Sequence, residues 1–285
     1  MNSNSYKDFD LNFLIKTSLN EDIQTGDITG LSCIDENSKS TAILLVKQNG
    51  IVCGKEIVDK ILQKFDENIS IKWYINDGDF VVSKTIIAEL KGNTRSILTV
   101  ERTILNFFQR MSGVATLTNL YVEKIAHTKA TILDTRKTIP GYRYLDKYAV
   151  KCGGGTNHRF GLYDMVMIKD NHIAANKSIS NAVFRCVEYL NKYKLQIPIE
   201  VETKNIEEVK EALDCNHIQR IMFDNFDLNT LNVAVQIVDG KKETEASGGV
   251  NLNTIKDIAE TGVQFISVGA ITHSALALDV SLDLI

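Results

Sequence analysis

The 285-residue chain lacks any apolar run approaching the ~20 residues a membrane-spanning helix requires, so no such helix is expected. Cysteine is present only as Cys33, Cys53, Cys152, Cys186 and Cys215, with no C-x-x-C and no metal-finger spacing. This odd count, without a secretory start, leads us to expect reduced thiols in a cytoplasm. Neither sign of charge is in large surplus: 32 Lys and Arg against 36 Asp and Glu give a formal net charge of −4. Nothing global therefore points to nucleic acid or to an anionic membrane. The sequence also has no H-E-x-x-H and no carboxylate–histidine cluster, which makes a metalloprotease a poor reading. What remains, with 44% hydrophobic and 24% charged residues, is the composition of an ordinary globular protein, long enough for one large domain or two modest ones.

The texture changes along the chain. A helix is expected over Asp10–Leu19, followed by the acidic patch E-D-I-Q-T-G-D-I-T-G at Glu21–Gly30. Thr41–Lys47, Trp73–Val81 and Thr85–Gly92 read as strands with glycine-containing turns, and Lys55–Phe65 as a helix between them. Together they suggest a small α+β sandwich. A long helical pattern then runs from about Ile97 to about His127, with Leu98, Ile104, Leu105, Phe108 and Met111 on one face and Arg102, Asn106, Gln109 and Arg110 on the other. Ser112-Gly113 is a plausible break in that helix. Glu101 falls within the apolar stripe, which calls for a buried partner or a first-turn position.

From Ala130 onward strand, loop and helix repeat. Strands are expected at Thr131–Asp134, Val166–Lys169, Ile197–Glu202, Arg220–Asp224, Glu243–Ser247 and Phe265–Gly269, with helices such as Ile206–Leu213 and Asn253–Glu260 between them. Repeated βα units imply a parallel sheet, and this many suggest a barrel, closed or nearly so. The α/β fold is thus divided into an N-terminal sandwich domain at 1–112 and a barrel catalytic domain at 113–272, with 273–285 packing back on the first domain.

Basic residues gather where this barrel begins: Arg136, Lys137, Arg143, Lys147, Lys151, His158, Arg159 and Lys169 all lie between Asp134 and His172. Several directly follow the apolar T-I-L at Thr131–Leu133 or end the M-V-M-I at Met165–Ile168. Bases at strand ends are what an α/β enzyme uses to grip a polyanion. Six expected strands close on a useful residue: Asp134, Lys169, Glu202, Asp224, Ser247 and Gly269. One such residue is explained as a helix cap; six along one rim are not. The loops A-S-G-G-V (Ala246–Val250) and S-V-G-A-I-T (Ser267–Thr272) come last in the barrel, where bare backbone N–H groups often bind phosphate. Glu202 and Asp224 suit Mg²⁺, sugar hydroxyls or a nearby positive charge. Glu200 is expected to point away from the ligand, or to sit on the other side of its strand. Lys169 is open to two readings, a Schiff-base nucleophile or an anion contact, and the surrounding cations favour the second. His158 and His172 are candidates for proton transfer, although for His172 a hydrogen-bonding role is favoured.

Several longer stretches carry a specific resemblance. They are E-R-T-I-L-N-F-F-Q-R-M-S-G-V-A-T-L-T (Glu101–Thr118), D-T-R-K-T-I-P-G (Asp134–Gly141), K-Y-A-V-K-C-G-G-G-T-N-H-R-F-G-L-Y-D (Lys147–Asp164) and I-K-D-N-H-I (Ile168–Ile173). V-E-T (Val201–Thr203), F-D-N-F (Phe223–Phe226), A-S-G-G (Ala246–Gly249) and S-V-G-A-I-T-H-S (Ser267–Ser274) extend it. With these the chain, from about Asp22 on, closely resembles the quinolinate phosphoribosyltransferases, also called nicotinate-nucleotide pyrophosphorylases (carboxylating). The resemblance implies an N-terminal α/β sandwich plus an open-faced α/β barrel of the type II phosphoribosyltransferase kind. It implies transfer of phosphoribosyl from 5-phosphoribosyl-1-pyrophosphate to quinolinate with Mg²⁺, giving nicotinate mononucleotide, pyrophosphate and CO₂ for NAD synthesis. Family members form homodimers with shared active sites, sometimes assembled into hexamers.

By the same resemblance Arg136, Arg159 and Arg102 grip quinolinate, Arg102 from the neighbouring subunit, with Lys137, His158 and Lys169 nearby. Glu202 and Asp224 steady the ribose and hold Mg²⁺ through water, and Ser247, Gly248, Gly249, Gly269 and Ala270 hold the 5′-phosphate. Lys137, Lys169, Glu202 and Asp224 are the implied catalytic set. The departures are small: Tyr142 and Phe160 stand where other apolar residues are expected, and Cys215–Arg220 looks one residue longer. Two rivals are weaker. A pyrophosphorylase-like protein found with molybdate transport shares D-T-R-K-T-x-P-G and H-R-x-G-L, but Lys169-Asp170-Asn171-His172 decides against it. A silent phosphosugar-binding barrel would not keep Arg136, Lys137, Arg159, Lys169, Glu202 and Asp224 together.

Overall fold

The computed structural model describes residues 10–285. By contacts the chain divides into two units: residues up to Asn119 with Ile139–Gly154 and Ala275–Ile285, and Leu120–Thr138 with Gly155–Ser274. By this measure Ile139–Gly154 returns to the first unit.

The first unit opens with α1 (Leu11–Ile23), whose start is fixed by the Asp10 carboxylate accepting the Phe13 N–H at 3.0 Å. Next come α2 (Ile28–Cys33), β1 (Lys39–Val46), β2 (Gly50–Ile51), α3 (Lys55–Phe65), β3 (Ser70–Trp73), β4 (Phe80–Val81), β5 (Ile86–Asn93) and α4 (Thr94–Ile125), whose end from Leu120 on belongs to the second unit. They are completed by α5 (Arg143–Cys152) and by β12 (Val280–Leu284), the last strand of the chain. An antiparallel sheet runs β12-β1-β5-β3, so the C-terminus adds a strand beside β1. Alternation on β1 buries Ala42, Leu44 and Val46. In α3, Ile57, Val58, Ile61 and Leu62 form the buried stripe, and the Asp77 carboxylate accepts the Gly54 and Lys55 N–H groups at 2.9 and 3.1 Å before its first turn.

Two local expectations fail for identifiable reasons. Trp73–Val81 is not one strand: N-D-G-D intervenes, with the Asn76 N–H on the Asp79 carboxylate at 2.7 Å and Gly78 at φ +94°, so the chain turns between β3 and β4. Nor does α4 break at Ser112-Gly113. A Cβ at Gly113 would lie 2.0 Å from the Leu276 carbonyl oxygen, so the glycine is there to admit a neighbouring backbone. Glu101, well inside α4, is half-buried beside Arg102 at 3.8 Å, and burial pushes its carboxyl up.

The second unit follows the βα rhythm: β6 (Thr131–Leu133), β7 (Val166–Ile168), α6 (Asp170–Asn176), α7 (Ile179–Tyr193), β8 (Ile199–Thr203), α8 (Ile206–Asp214), β9 (Arg220–Asp224), α9 (Leu228–Val238), β10 (Glu243–Ser247), α10 (Ile255–Glu260), β11 (Phe265–Ser267) and α11 (Ala270–His273). Ser178, Asn205 and Asp227 cap α7, α8 and α9 through their side-chain oxygens. The six strands form one all-parallel sheet, β6-β11-β10-β9-β8-β7. Its edges are β6 and β7, so the barrel is open, and every strand C-terminus falls on one rim.

Candidate active site

That rim carries a cavity of about 700 Å³. Its lining comes from each strand end in turn: Lys169 after β7, Glu202 on β8, Asp224 and Asn225 on and after β9, Ser247–Val250 on and after β10, Ser267, Gly269 and Ala270 on and after β11, and Thr135–Lys137 after β6. His158 and Arg159 join them from the segment that pairs with β6 through Leu133 and Thr156. The sheet order therefore puts the two carboxylates and the glycine loops on central strands, flanked by cations after the edge strands.

Each part has a local cause. Asp134, fully buried, accepts the His158 N–H at 2.9 Å and the Asn157 amide at 2.6 Å, so it builds the loop that presents Arg159. The Arg159 guanidinium donates to the Met165 carbonyl at 3.2 Å. Burial and the neighbouring Arg136 push it below its usual range, the mark of two cations held close in a poorly solvated place. Lys169 forms an ion pair with Glu202, and its backbone N–H donates to His172 Nδ1 at 2.9 Å, so His172 closes the start of α6. The Asp224 carboxylate accepts the Asn225 amide at 3.0 Å. Gly248 sits at φ +94°, and a Cβ there would meet Asn225 Oδ1 at 2.2 Å, so only glycine fits that turn. Gly248, Gly249 and Gly269 therefore line the cavity with backbone alone.

Below the rim the sequence expectation for Glu200 is corrected. Residues two apart on a strand share a face, so Glu200 lies beneath Glu202 rather than opposite it. It is fully buried, as is Glu245 on β10, and His158 Nε2 lies 3.1 Å from the first and 3.3 Å from the second. A carboxylate–histidine cluster, absent from the linear sequence, is thus assembled from three separate segments. Arg220 on β9 pairs with Glu245 at 2.9 Å and with Glu243 at 2.9 Å, and its guanidinium lies 3.9 Å from the centre of the Phe265 ring. Ser267 donates to the other oxygen of Glu245.

Burial pulls the His158 imidazole down, while the hydrogen bonds and charges of Glu200 and Glu245 outweigh it and push it up to about 9. Its Nδ1, however, accepts the Arg159 N–H at 2.7 Å, and an imidazolium would set two donors face to face there. The amide decides: we assign the neutral Nε2–H tautomer, with Nε2 facing the two carboxylates. Burial and Glu245 together push the Glu200 carboxyl up to about 7.

Of the expected site residues, Arg136, Lys137, His158, Arg159, Lys169, Glu202, Asp224, Ser247, Gly248, Gly249, Gly269 and Ala270 line this one cavity. Arg102 does not: it stands 61% exposed on α4, 3.8 Å from Glu101. Arg143, Lys147 and Lys151, part of the basic stretch, belong to α5 and do not line it either. Thr135, Met167, Met222, Asn225, Val250, Ser267 and His273 complete the wall. Thr135, Asn225, Ser267 and His273 lie inside motifs legible in the sequence; Met167 and Met222 could have been found only as the inward residues of their strands.

The comparisons with known proteins agree with this geometry. Residues 27–112 match the family described as quinolinate phosphoribosyl transferase, N-terminal domain, and residues 114–283 match its C-terminal domain. The nicotinate-nucleotide pyrophosphorylase [carboxylating], chloroplastic, of Arabidopsis thaliana is 45% identical over 98% of this chain and 84% of its own length. The probable nicotinate-nucleotide pyrophosphorylase [carboxylating] of Bacillus subtilis is 42% identical over 92% and 89%. The solved structure of the nicotinate-nucleotide pyrophosphorylase from Francisella tularensis superposes with a TM-score of 0.90 at 44% identity, covering 96% of each chain. With both domains matched in order and the cationic, acidic and glycine-lined walls on one rim, the chain belongs to the quinolinate phosphoribosyl transferase family.

Proposed function

We propose that this chain transfers phosphoribosyl from 5-phosphoribosyl-1-pyrophosphate to quinolinate with decarboxylation, giving nicotinate mononucleotide, pyrophosphate and CO₂ in NAD biosynthesis. The observation that carries the reading is the shared cavity in which Arg136, Lys137, Arg159 and Lys169 stand with Glu202, Asp224 and the Gly248, Gly249 and Gly269 backbone. Quinolinate is a dianion, and two guanidinium forks match two carboxylates better than point charges would. Arg136 and Arg159 take that role, with Lys137, Lys169 and His158 beside them. Ser247, Gly248, Gly249, Gly269 and Ala270 hold the 5′-phosphate. As the bond from ribose C1 to pyrophosphate breaks, positive charge grows on the ribose, and Glu202 and Asp224 stabilise it. The pyridine nitrogen attacks C1 and becomes a pyridinium. The adjacent carboxylate then leaves as CO₂, its bonding pair remaining on the ring carbon next to that nitrogen until a proton replaces it.

The donor set also suits Mg²⁺: two carboxylates on neighbouring strands, with space for water, match an ion that keeps much of its hydration. When bound, Mg²⁺ would neutralise charge on the departing pyrophosphate, with Glu202 and Asp224 holding it through water. Arg102, exposed and outside the cavity, is assigned to the site of a second copy in a homodimer, or in a hexamer built from such dimers. A cytoplasmic setting accords with five free thiols.

Turnover of quinolinate with 5-phosphoribosyl-1-pyrophosphate is the direct test. Quinolinate is also expected to bind much more tightly than nicotinate, since a lone carboxylate leaves a buried cation without its partner. Equal affinities in calorimetry would remove the two-carboxylate reading.

A further inference from the structure

The buried carboxylates of Glu200 and Glu245, beneath the cavity, have no place in the mechanism above. They are also an unlikely thing to find there: two buried carboxylates under a pocket for a dianion repel the ligand unless they do something else. Inward residues of the sheet stack in layers. In the register of the sheet Glu200 and Glu243 flank Arg220, Glu202 and Glu245 flank Met222, and Ser247 lies beside Asp224. His158 bridges these levels: its Nε2 lies 3.1 Å from Glu200 and 3.3 Å from Glu245, its Nδ1 accepts the Arg159 N–H at 2.7 Å, and its own backbone N–H donates to Asp134 at 2.9 Å. Both faces of the cluster are thereby anchored, by Arg220 below and by the Arg159 backbone above.

We propose that Glu200 and Glu245, braced by Arg220, are positioning residues: they clamp the His158 ring so that its Nδ1 fixes the Arg159 backbone and aims the Arg159 guanidinium at quinolinate. The inference rests on the activity proposed above. Neither glutamate touches substrate; each acts through the ring. The reach of the carboxylate oxygen to Nε2 therefore matters, and its charge does not.

Two substitutions separate these properties. Glu200→Gln keeps the reach and loses the charge; Glu200→Asp keeps the charge and withdraws the oxygen by one methylene. Steady-state kinetics on both variants, with both substrates varied, is the experiment. Glu200→Asp is expected to raise the KM for quinolinate about tenfold or more, because small misplacements of a binding group are costly. Its kcat and its KM for 5-phosphoribosyl-1-pyrophosphate should stay within about twofold, as should every constant of Glu200→Gln, because the phosphoribosyl half is held elsewhere. Glu245→Asp shortens the second acceptor on the same nitrogen and should behave like Glu200→Asp. A Glu200→Gln chain as impaired as Glu200→Asp would make the charge decisive and overturn the proposal. So would a fall in melting temperature and active fraction with an unchanged quinolinate KM, or failure of all three variants to fold, either of which would make the cluster an element of the core. Absence of turnover in the unsubstituted chain would instead sink the proposed activity before any variant was made.

Discussion

Asp224 shows how a single strand-end residue can be tested for function rather than structure. It lines the cavity, and its carboxylate accepts a hydrogen bond from the adjacent Asn225 amide. Asp224→Asn preserves shape and removes the charge facing the developing cation. Turnover should fall by a factor corresponding to about 3 kcal/mol, as for other groups that meet transition-state charge. Quinolinate titration and the melting temperature should barely move. Near-normal turnover with a strongly lowered melting point would make Asp224 structural. At this scale the sequence was legible where a residue's job is written in its neighbours: Arg136, Lys137, Lys169 and Gly248 follow strands or turns that can be read locally. It was illegible where the job depends on a partner far along the chain. Glu200, Glu245 and His158 meet only after three segments fold together, and Asp134 supports a loop 24 positions downstream. No local pattern encodes such a meeting.

Elements were legible wherever a regular period met ordinary punctuation. The α3 and β9 spans follow directly from their apolar pattern and flanking turns. Glycine is where the reading fails, because one residue type serves opposite ends. Gly78 ends a strand through a positive φ, whereas Gly113 sits in unbroken α4 because the Leu276 carbonyl comes too close for a side chain. This distinction is measurable. Alanine normally favours a helix interior by about 1 kcal/mol over glycine. At Gly113 the added methyl would meet the Leu276 oxygen at 2.0 Å, and overpacking of this kind costs about 1–3 kcal/mol. Gly113→Ala should therefore lower the melting temperature. A melting temperature that rises would restore the reading of Gly113 as a mere weak point in the helix.

Whole-molecule organisation is where the cavity leaves one question to a second copy. Twelve of the thirteen site residues implied by the family resemblance line a cavity built from the second unit, and Arg102 stands exposed on α4 outside it. A cation that is solvated in one chain gains most from a dianion if another chain's cavity closes over it. In a symmetric dimer the proposed exchange would be reciprocal, each chain lending its Arg102 and receiving its partner's. Arg102→Ala and Lys169→Ala chains should each be nearly inactive alone, since every site in either homodimer carries a lesion. After subunit exchange, roughly half of the dimers are mixed, and one of the two sites in each combines an intact Lys169 with an intact Arg102, so activity should return to roughly a quarter of the unsubstituted level. The mixture is read by steady-state turnover, with mixed dimers verified by tagging one chain. If Arg102 instead served its own chain's cavity, each mixed dimer would carry one lesion in each site, and no activity would return. Recovery therefore depends on which chain supplies the arginine, and the assay reads that directly.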